Sequence, residues 1–90
     1  MADERRPTFA AGVRLQTDTA TGQGVLLYPE GILQLNETAH EIALGCDGLT
    51  TVTQLITTLA AKYEISESEL ESDIGICLGD WQRQRLIVFT

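Results

Sequence analysis

The feature that most constrains this chain is a change of hydrophobic period at Asn36. Before it, short runs such as residues 13–16 alternate apolar and polar side chains, the period-two pattern of half-buried β-strands. After it, apolar residues recur every three or four positions, which is the period of an amphipathic helix. Strands therefore precede helices along the chain, and this order predicts an α+β fold.

Three strands are predicted in the first part of the chain, over residues 13–16, 25–28 and 32–35. A Thr- and Gly-rich stretch joins the first two, as in a hairpin connection. Pro29 and Gly31 fit the second and fourth positions of a type I turn between the last two, because proline pre-sets φ for such a turn. Short connections of this kind predict a three-stranded antiparallel meander.

Three helices are predicted after the meander. Asn36 can cap the first helix by accepting a backbone N–H bond, and Gly48 is its predicted end because glycine adopts the left-handed conformation at low cost. The other two helices each open on a hydroxyl residue followed three positions later by Gln or Glu, the capping-box pattern. These pairs are Thr51 with Gln54 and Ser66 with Glu69. Three strands followed by three helices predict a winged-helix-like architecture.

Both ends of the chain are predicted to lie outside these elements. Residues 1–10 carry charge, proline and small side chains, which is typical of a flexible N-terminal lead-in. Residues 11–90 are predicted to form a single domain, because ninety residues is one domain by length. Residues 86–89 form a short extended apolar tail that can pair between copies, so a homodimer stays an open alternative.

The charge of the chain is strongly acidic, with a formal net charge of -7. Between Glu64 and Asp80 there are six acidic residues and no basic one. This field repels phosphate backbones and anionic lipid and attracts basic peptides, so neither nucleic acid nor membrane is an expected partner. Solubility alone would also account for the charge. The polar start lacks a signal-peptide pattern, and the cytoplasm is the expected location.

The sequence shows no arrangement typical of catalysis or metal binding. His40 is the single histidine, and with Cys46 and Cys77 it does not form a recognisable zinc-ligand set. Cys46 lies within an apolar pattern, where a buried structural thiol is commoner than a nucleophile. We therefore predict no catalytic residues, no metal and no cofactor, and a protein that is not an enzyme.

One block of sequence resembles a known family. Residues 25–31 read VLLYPEG, and they are followed at fixed spacing by Leu35-Asn36, Ala39, Ile42 and Cys46-Asp47-Gly48. The flanking matches are Arg6-Pro7, Val13-Arg14-Leu15, Asp18 and Thr51-Val52. On these residues the chain closely resembles the family of pyrroloquinoline quinone (PQQ) biosynthesis protein D, from about Arg6 to Leu59. Gly79 in the third helix and the apolar tail depart from the family pattern.

The resemblance implies a peptide chaperone. Members of this family bind a ribosomally made precursor peptide and present it to a radical S-adenosylmethionine enzyme, which joins a glutamate and a tyrosine side chain of the peptide. It further implies that residues 11–90 are one precursor-peptide-binding domain, in which the peptide adds a strand beside the third strand and packs on the third helix. Related domains bind leader peptides in other modified-peptide pathways, so such a pathway stays the alternative.

The predicted peptide-binding site combines the third strand and the third helix. An outer strand of a meander exposes unpaired N–H and C=O groups, with which an extended peptide can pair. On the third helix, Ile76 lies off the predicted core stripe among carboxylates, although a solitary exposed isoleucine is also common. The predicted peptide-binding residues are Ile32, Leu33, Gln34, Leu35, Glu69, Asp73, Ile76 and Cys77.

Two other classes of protein share some of these features. A DNA-binding winged helix has the same order of elements, but the third helix here is the most acidic part of the chain, whereas phosphate binding needs lysine and arginine. An acidic carrier with a tethered prosthetic group would use a serine such as Ser66 at a helix start. Ser66 lacks the preceding aspartate, and strands occupy the first third of the chain.

Overall fold

A computed structural model describes residues 3–90 of the chain. Its strands are β1 (Pro7–Phe9), β2 (Arg14–Thr17), β3 (Gly24–Tyr28), β4 (Gly31–Gln34) and β5 (Ile87–Phe89). Its helices are α1 (Glu37–Leu44), α2 (Val52–Tyr63) and α3 (Glu67–Arg83). The predicted α+β class, with an antiparallel three-stranded sheet followed by three helices, is confirmed. The likeness to winged-helix domains stays a prediction.

The three-stranded sheet has the order β2-β3-β4, so β3 is central and the strand predicted over residues 32–35 lies at an edge. Its register pairs Leu15 with Leu26 and Leu26 with Leu33. Residues paired across strands point to the same face of a sheet. These three leucines belong to or pack against the hydrophobic core, and they define the inner face of the sheet.

The first helix is shorter than predicted. It ends at Leu44, and Gly45 caps it with its N–H bonded to the Ile42 carbonyl. A Cβ atom at position 45 would lie 2.6 Å from Leu55 Cδ1, so a larger residue there would require the Leu55 side chain to move. The last residue of the helix lies four positions before Gly48, and Cys46 is buried as expected.

The caps of the other two helices lie where the sequence predicted them. Thr51 Oγ accepts a hydrogen bond from the Gln54 N–H at 3.1 Å, and Gln54 Oε1 accepts one from the Thr51 N–H at 2.9 Å. Ser66 Oγ accepts from the Glu69 N–H at 3.2 Å. The buried side of α3 consists of Leu70, Ile74, Leu78 and Trp81.

The flexible lead-in over residues 1–10 stays a prediction, although a second sheet includes part of it. Within it, Pro7–Phe9 pairs antiparallel with Ile87–Phe89, which also joins the apolar tail to the domain. Strands of three residues are too short to show a period, and their partners are some eighty positions apart in sequence. The tail therefore pairs within its own chain, which removes the reason for expecting it to pair between copies. Met1 and Ala2 lie outside the described residues.

The segment before β1 also caps α2. The Val52 N–H donates to the Arg5 carbonyl at 2.9 Å, and the Thr53 N–H donates to the Asp3 carbonyl at 3.1 Å. The first backbone N–H groups of a helix have no acceptor within the helix. Here carbonyl groups of the N-terminal segment accept hydrogen bonds from two of them. Both ends of the described chain, residues 3–90, are thus built into the fold.

Candidate functional site

The three-stranded sheet has two edge strands, β2 and β4, and the predicted site lies on β4. Among residues 3–90, no further strand pairs with its outer side. The Leu35 N–H bonds to the Gly24 carbonyl at 2.9 Å, so the residue just after β4 faces β3. Backbone groups alternate in direction along an antiparallel strand, and Leu33 therefore faces β3 as well. The outward N–H and C=O groups are those of Ile32 and Gln34.

The side chains of β4 alternate between the two faces of the sheet. Ile32 is 64% exposed and Gln34 is exposed, both on the outer face. Leu33 is half-buried and packs against the core. Leu35 follows the strand rather than belonging to it, and its side chain is buried in the core. Of the four residues predicted here, Leu35 therefore supports the strand from within, and the other three reach the surface.

The four residues predicted on α3 also include both exposed and half-buried side chains. Glu69, Asp73 and Ile76 are exposed, and Ile76 borders an open depression of about 580 Å³ with Ser72 and Gly75. Cys77 is half-buried and packs against the core. Its burial, together with the nearby charge of Asp80, raises the pKa of its thiol to about 11. Cys77 is thus an apolar contact at neutral pH.

The two halves of the predicted site line the same hydrophobic core. β4 packs chiefly on β3, and α3 packs chiefly on α2 and β5. Leu33 and Cys77 are both half-buried members of the shell that lines the common core. They mark where the core comes to the surface on each element.

The outer face of the sheet was not predicted as a surface of interest. Val25 and Leu27 point to it, since they pair in register with Gln34 and Ile32. The signal was present in the uninterrupted apolar run over residues 25–28, because a strand with one solvated face normally alternates.

The sequence Cys46-Asp47-Gly48 has a structural use in the fold. Cys46 Sγ lies 3.5 Å from the Ile42 carbonyl, and burial raises the pKa of its thiol to about 12, which leaves it protonated at neutral pH. Asp47 accepts hydrogen bonds from the Leu49 and Thr50 N–H groups, both at 2.8 Å, which lower the pKa of its carboxyl. The Gly48 N–H donates to the Pro7 carbonyl at 3.0 Å. This turn joins the helices to β1.

Two further observations concern metal binding and membrane crossing. In the part of the chain that the structure describes, no three His, Cys, Asp or Glu side chains lie together as a metal ion would require. No helix between residues 3 and 90 has the length and apolar character needed to cross a membrane.

Comparison with known families decides the relationship. The family model described as "Coenzyme PQQ synthesis protein D (PqqD)" matches residues 23–87. The chain belongs to the PqqD family. The matched region begins just before β3 and reaches β5, so it contains the free edge and all of α3.

Individual members of the PqqD family match over most of the chain. A "PqqA binding protein" of Xanthomonas campestris pv. campestris (strain 8004) is 43% identical over 68 residues, which is 76% of this chain and 74% of that protein. A protein of the same description from Xanthomonas axonopodis pv. citri (strain 306) is 38% identical over 84 residues, covering 93% and 91% of the two chains.

Solved PqqD structures share the fold. The PqqD truncation of Methylobacterium extorquens PqqCD, described as a functional and stand-alone recognition element for ribosomally synthesised and post-translationally modified peptides, is similar with a TM-score of 0.78. It is 30% identical, with 91% of this chain and 87% of that one covered. The crystal structure of PqqD from Xanthomonas campestris has a TM-score of 0.59 at 38% identity, with 88% of each chain covered.

Proposed function

We propose that this protein is a peptide chaperone of PQQ biosynthesis, which binds a PqqA-type precursor peptide by strand addition to β4. The observation that carries the proposal is the unpaired outer side of β4 in a chain of the PqqD family. Relatives described as PqqA binding proteins and a structure described as a recognition element support the same ligand.

Backbone pairing supplies the affinity in this mechanism. The outward N–H and C=O groups of Ile32 and Gln34 bond to an extended peptide, whatever its sequence. Alternate side chains of that peptide then lie on the inner side of the sheet, near Leu33 and, on α3, Cys77. These two half-buried residues offer apolar contact and give the site part of its selectivity.

The exposed side of α3 supplies the electrostatic part of the selectivity. Glu69 and Asp73 are exposed, and neither forms an ion pair with another described residue. Their carboxylates favour a peptide with basic residues beside Ile76, because opposite charges steer association. Ile76 then contacts an apolar side chain of the ligand.

The chemistry belongs to a partner in this proposal. The protein holds the precursor in the cytoplasm and presents it to a radical S-adenosylmethionine enzyme, which links the glutamate and tyrosine side chains. No residue of this chain takes part in the reaction, and the protonated thiols of Cys46 and Cys77 agree with that role. The alternative ligand is the leader peptide of another modified-peptide pathway, because backbone pairing itself does not distinguish sequences.

Proline substitution at the free edge tests the mechanism. Gln34→Pro removes an outward N–H donor, while the bonds of Leu33 and Leu35 toward β3 remain. We expect the affinity for the PqqA peptide of the same organism to fall by about tenfold, since a backbone hydrogen bond is lost and the edge is disturbed. Isothermal titration calorimetry measures the affinity, and circular dichroism verifies the fold.

Glu37→Pro is the matched control, because it introduces the same ring at the first residue of α1, where helices tolerate proline and the preceding Asn36 is extended. Equal affinities for wild type and Gln34→Pro would exclude strand addition at this edge. No binding of PqqA by the wild-type protein, with binding of another leader peptide, would assign the protein to a different pathway.

A further inference from the structure

The outer face of the three-stranded sheet is apolar at its centre. Leu27 and Ile32 are cross-strand partners there, and Val25 lies one row away between Gln16 and Gln34. The three aliphatic side chains are absent from the set that packs against the core. A sheet with one solvated face normally carries polar residues on that face, so this row is an exception that folding does not require.

No helix of the described chain lies over this face. The depression on it has a volume of about 420 Å³ and is lined only by strand and hairpin residues. They are Gln16, Thr17, Asp18, Thr19, Val25, Leu27, Ile32 and Gln34. Exposed apolar patches bordered by polar side chains are typical of surfaces that bind another protein.

We infer that this outer face docks the enzyme that modifies the bound peptide, an inference that rests on the proposed function. A peptide paired with β4 extends the sheet from three strands to four. Every second peptide side chain then lies on the outer face, beside Ile32 and Gln34, because paired residues share a face. A protein seated over Leu27 and Ile32 therefore contacts the carrier and the peptide together.

This composite surface lets the enzyme distinguish a loaded carrier from an empty one. Without peptide, the enzyme meets the three strands alone; with peptide, it gains the contacts of the added strand. Coupling between two binding events is reciprocal. The enzyme therefore raises the affinity of the carrier for the peptide by the same factor as the peptide raises the affinity for the enzyme.

Charge favours a different protein over a second copy of this chain as the occupant. Each copy carries a formal net charge of -7, so two copies repel each other at long range. The face itself is nearly free of carboxylates, with Asp18 at its border and Arg14 beside Leu27 in register. It therefore suits an apolar partner surface that places a neutral or acidic residue opposite Arg14.

The double variant Val25→Thr/Leu27→Gln tests the docking face. Both changes lie on β3, outside the peptide-binding residues, and Thr retains β-propensity at position 25. Leu49→Gln is the control, since Leu49 is 79% exposed and lies in the turn between α1 and α2. Binding of the PqqA peptide alone, and of the radical enzyme of the same organism to the loaded carrier, are measured separately by calorimetry.

We expect the double variant to bind the peptide within about twofold of wild type and the enzyme about tenfold more weakly, as for central contacts of an interface. The control variant should match wild type in both. In wild-type protein, the methyl groups of Val25 and Leu27 should receive saturation from the enzyme in a cross-saturation experiment, which needs no variant to fold.

Each contrary result points to one failure. Wild-type protein that does not bind the peptide contradicts the proposed function. Normal enzyme binding by a folded double variant that also binds peptide contradicts the docking face alone, as does an absence of transfer to the Val25 and Leu27 methyl groups. A wild-type dimer that the double variant abolishes, measured by sedimentation, would show that a second copy occupies the face and would overturn the inference.

Discussion

The two sheets of this protein differ in how far apart their strands lie in the chain. In the three-stranded sheet, consecutive strands pair through short hairpins, and both edges and one face stay open. In the two-stranded sheet, β1 pairs with β5 from the opposite end of the chain, and the Arg6 N–H and Thr90 carbonyl lie 3.0 Å apart. The local sheet offers surfaces for binding, and the long-range sheet closes the domain.

The largest effect is expected from weakening the long-range sheet. Ile87 is 1% exposed, and Ile87→Ala should lower the free energy of unfolding by about 3 kcal/mol, through lost burial and the cavity that remains. Urea unfolding measures the loss.

Val88→Ala is the control in the same strand. Val88 is 48% exposed, so this substitution should lower the free energy of unfolding much less than Ile87→Ala. If the two substitutions destabilise equally, β5 does not hold the domain through its inward side chain.

An intermediate effect is expected where the local sheet contacts α1. A Cβ atom at position 24 would lie 2.6 Å from His40 Cδ2, so Gly24→Ala should destabilise the protein by about 2 kcal/mol through overpacking. Thermal unfolding followed by circular dichroism measures it. Gly75→Ala is the opposite case, because no atom lies within 4 Å of the added methyl group and alanine favours the helix. A stabilisation by both substitutions would show that the contact with His40 relaxes freely.

A smaller effect, dependent on pH, is expected at Asp47 in the turn between α1 and α2. Asp47→Ala should cost about 1 kcal/mol at pH 7, because the Leu49 and Thr50 N–H groups lose their acceptor. The pKa of Asp47 is lowered in the folded state from 3.8, so its stabilisation is complete well above that value and is lost as pH falls through the folded pKa. Wild type and variant should therefore converge in stability in acid.

Denaturant titrations at a series of pH values measure this convergence. Asp47→Asn retains an oxygen acceptor, so its stability at pH 7 should lie between those of wild type and Asp47→Ala. A gap between wild type and Asp47→Ala that stays constant down to acid pH would show that the carboxylate charge is irrelevant to the turn.

The sequence predictions were accurate for local features of the fold and failed for long-range ones. Strong local signals gave the caps at Thr51 and Ser66, the meander, and the edge position of residues 32–35. The end of α1 was wrong because the local pattern does not distinguish Gly45 from Gly48 as the cap residue, and the structure uses Gly45. β1 and β5 were missed because three-residue strands carry no visible period.

The candidate site was predictable to a similar extent. A strand at the end of a meander must have a free side, so the edge at Ile32 followed from the order of elements. The inward direction of Leu35 and the half-burial of Cys77 depend on how the elements pack, which the sequence pattern does not specify. The binding of peptide at these residues stays a proposal.

The hydrogen bonds between Arg6 and Thr90 bring the two ends of the described chain to one corner of the domain. A second domain tethered to either end would leave from that corner, and the choice of end would change its direction little. A carrier of this design can thus be supplied as a separate chain or joined to a neighbour at either terminus by a short linker.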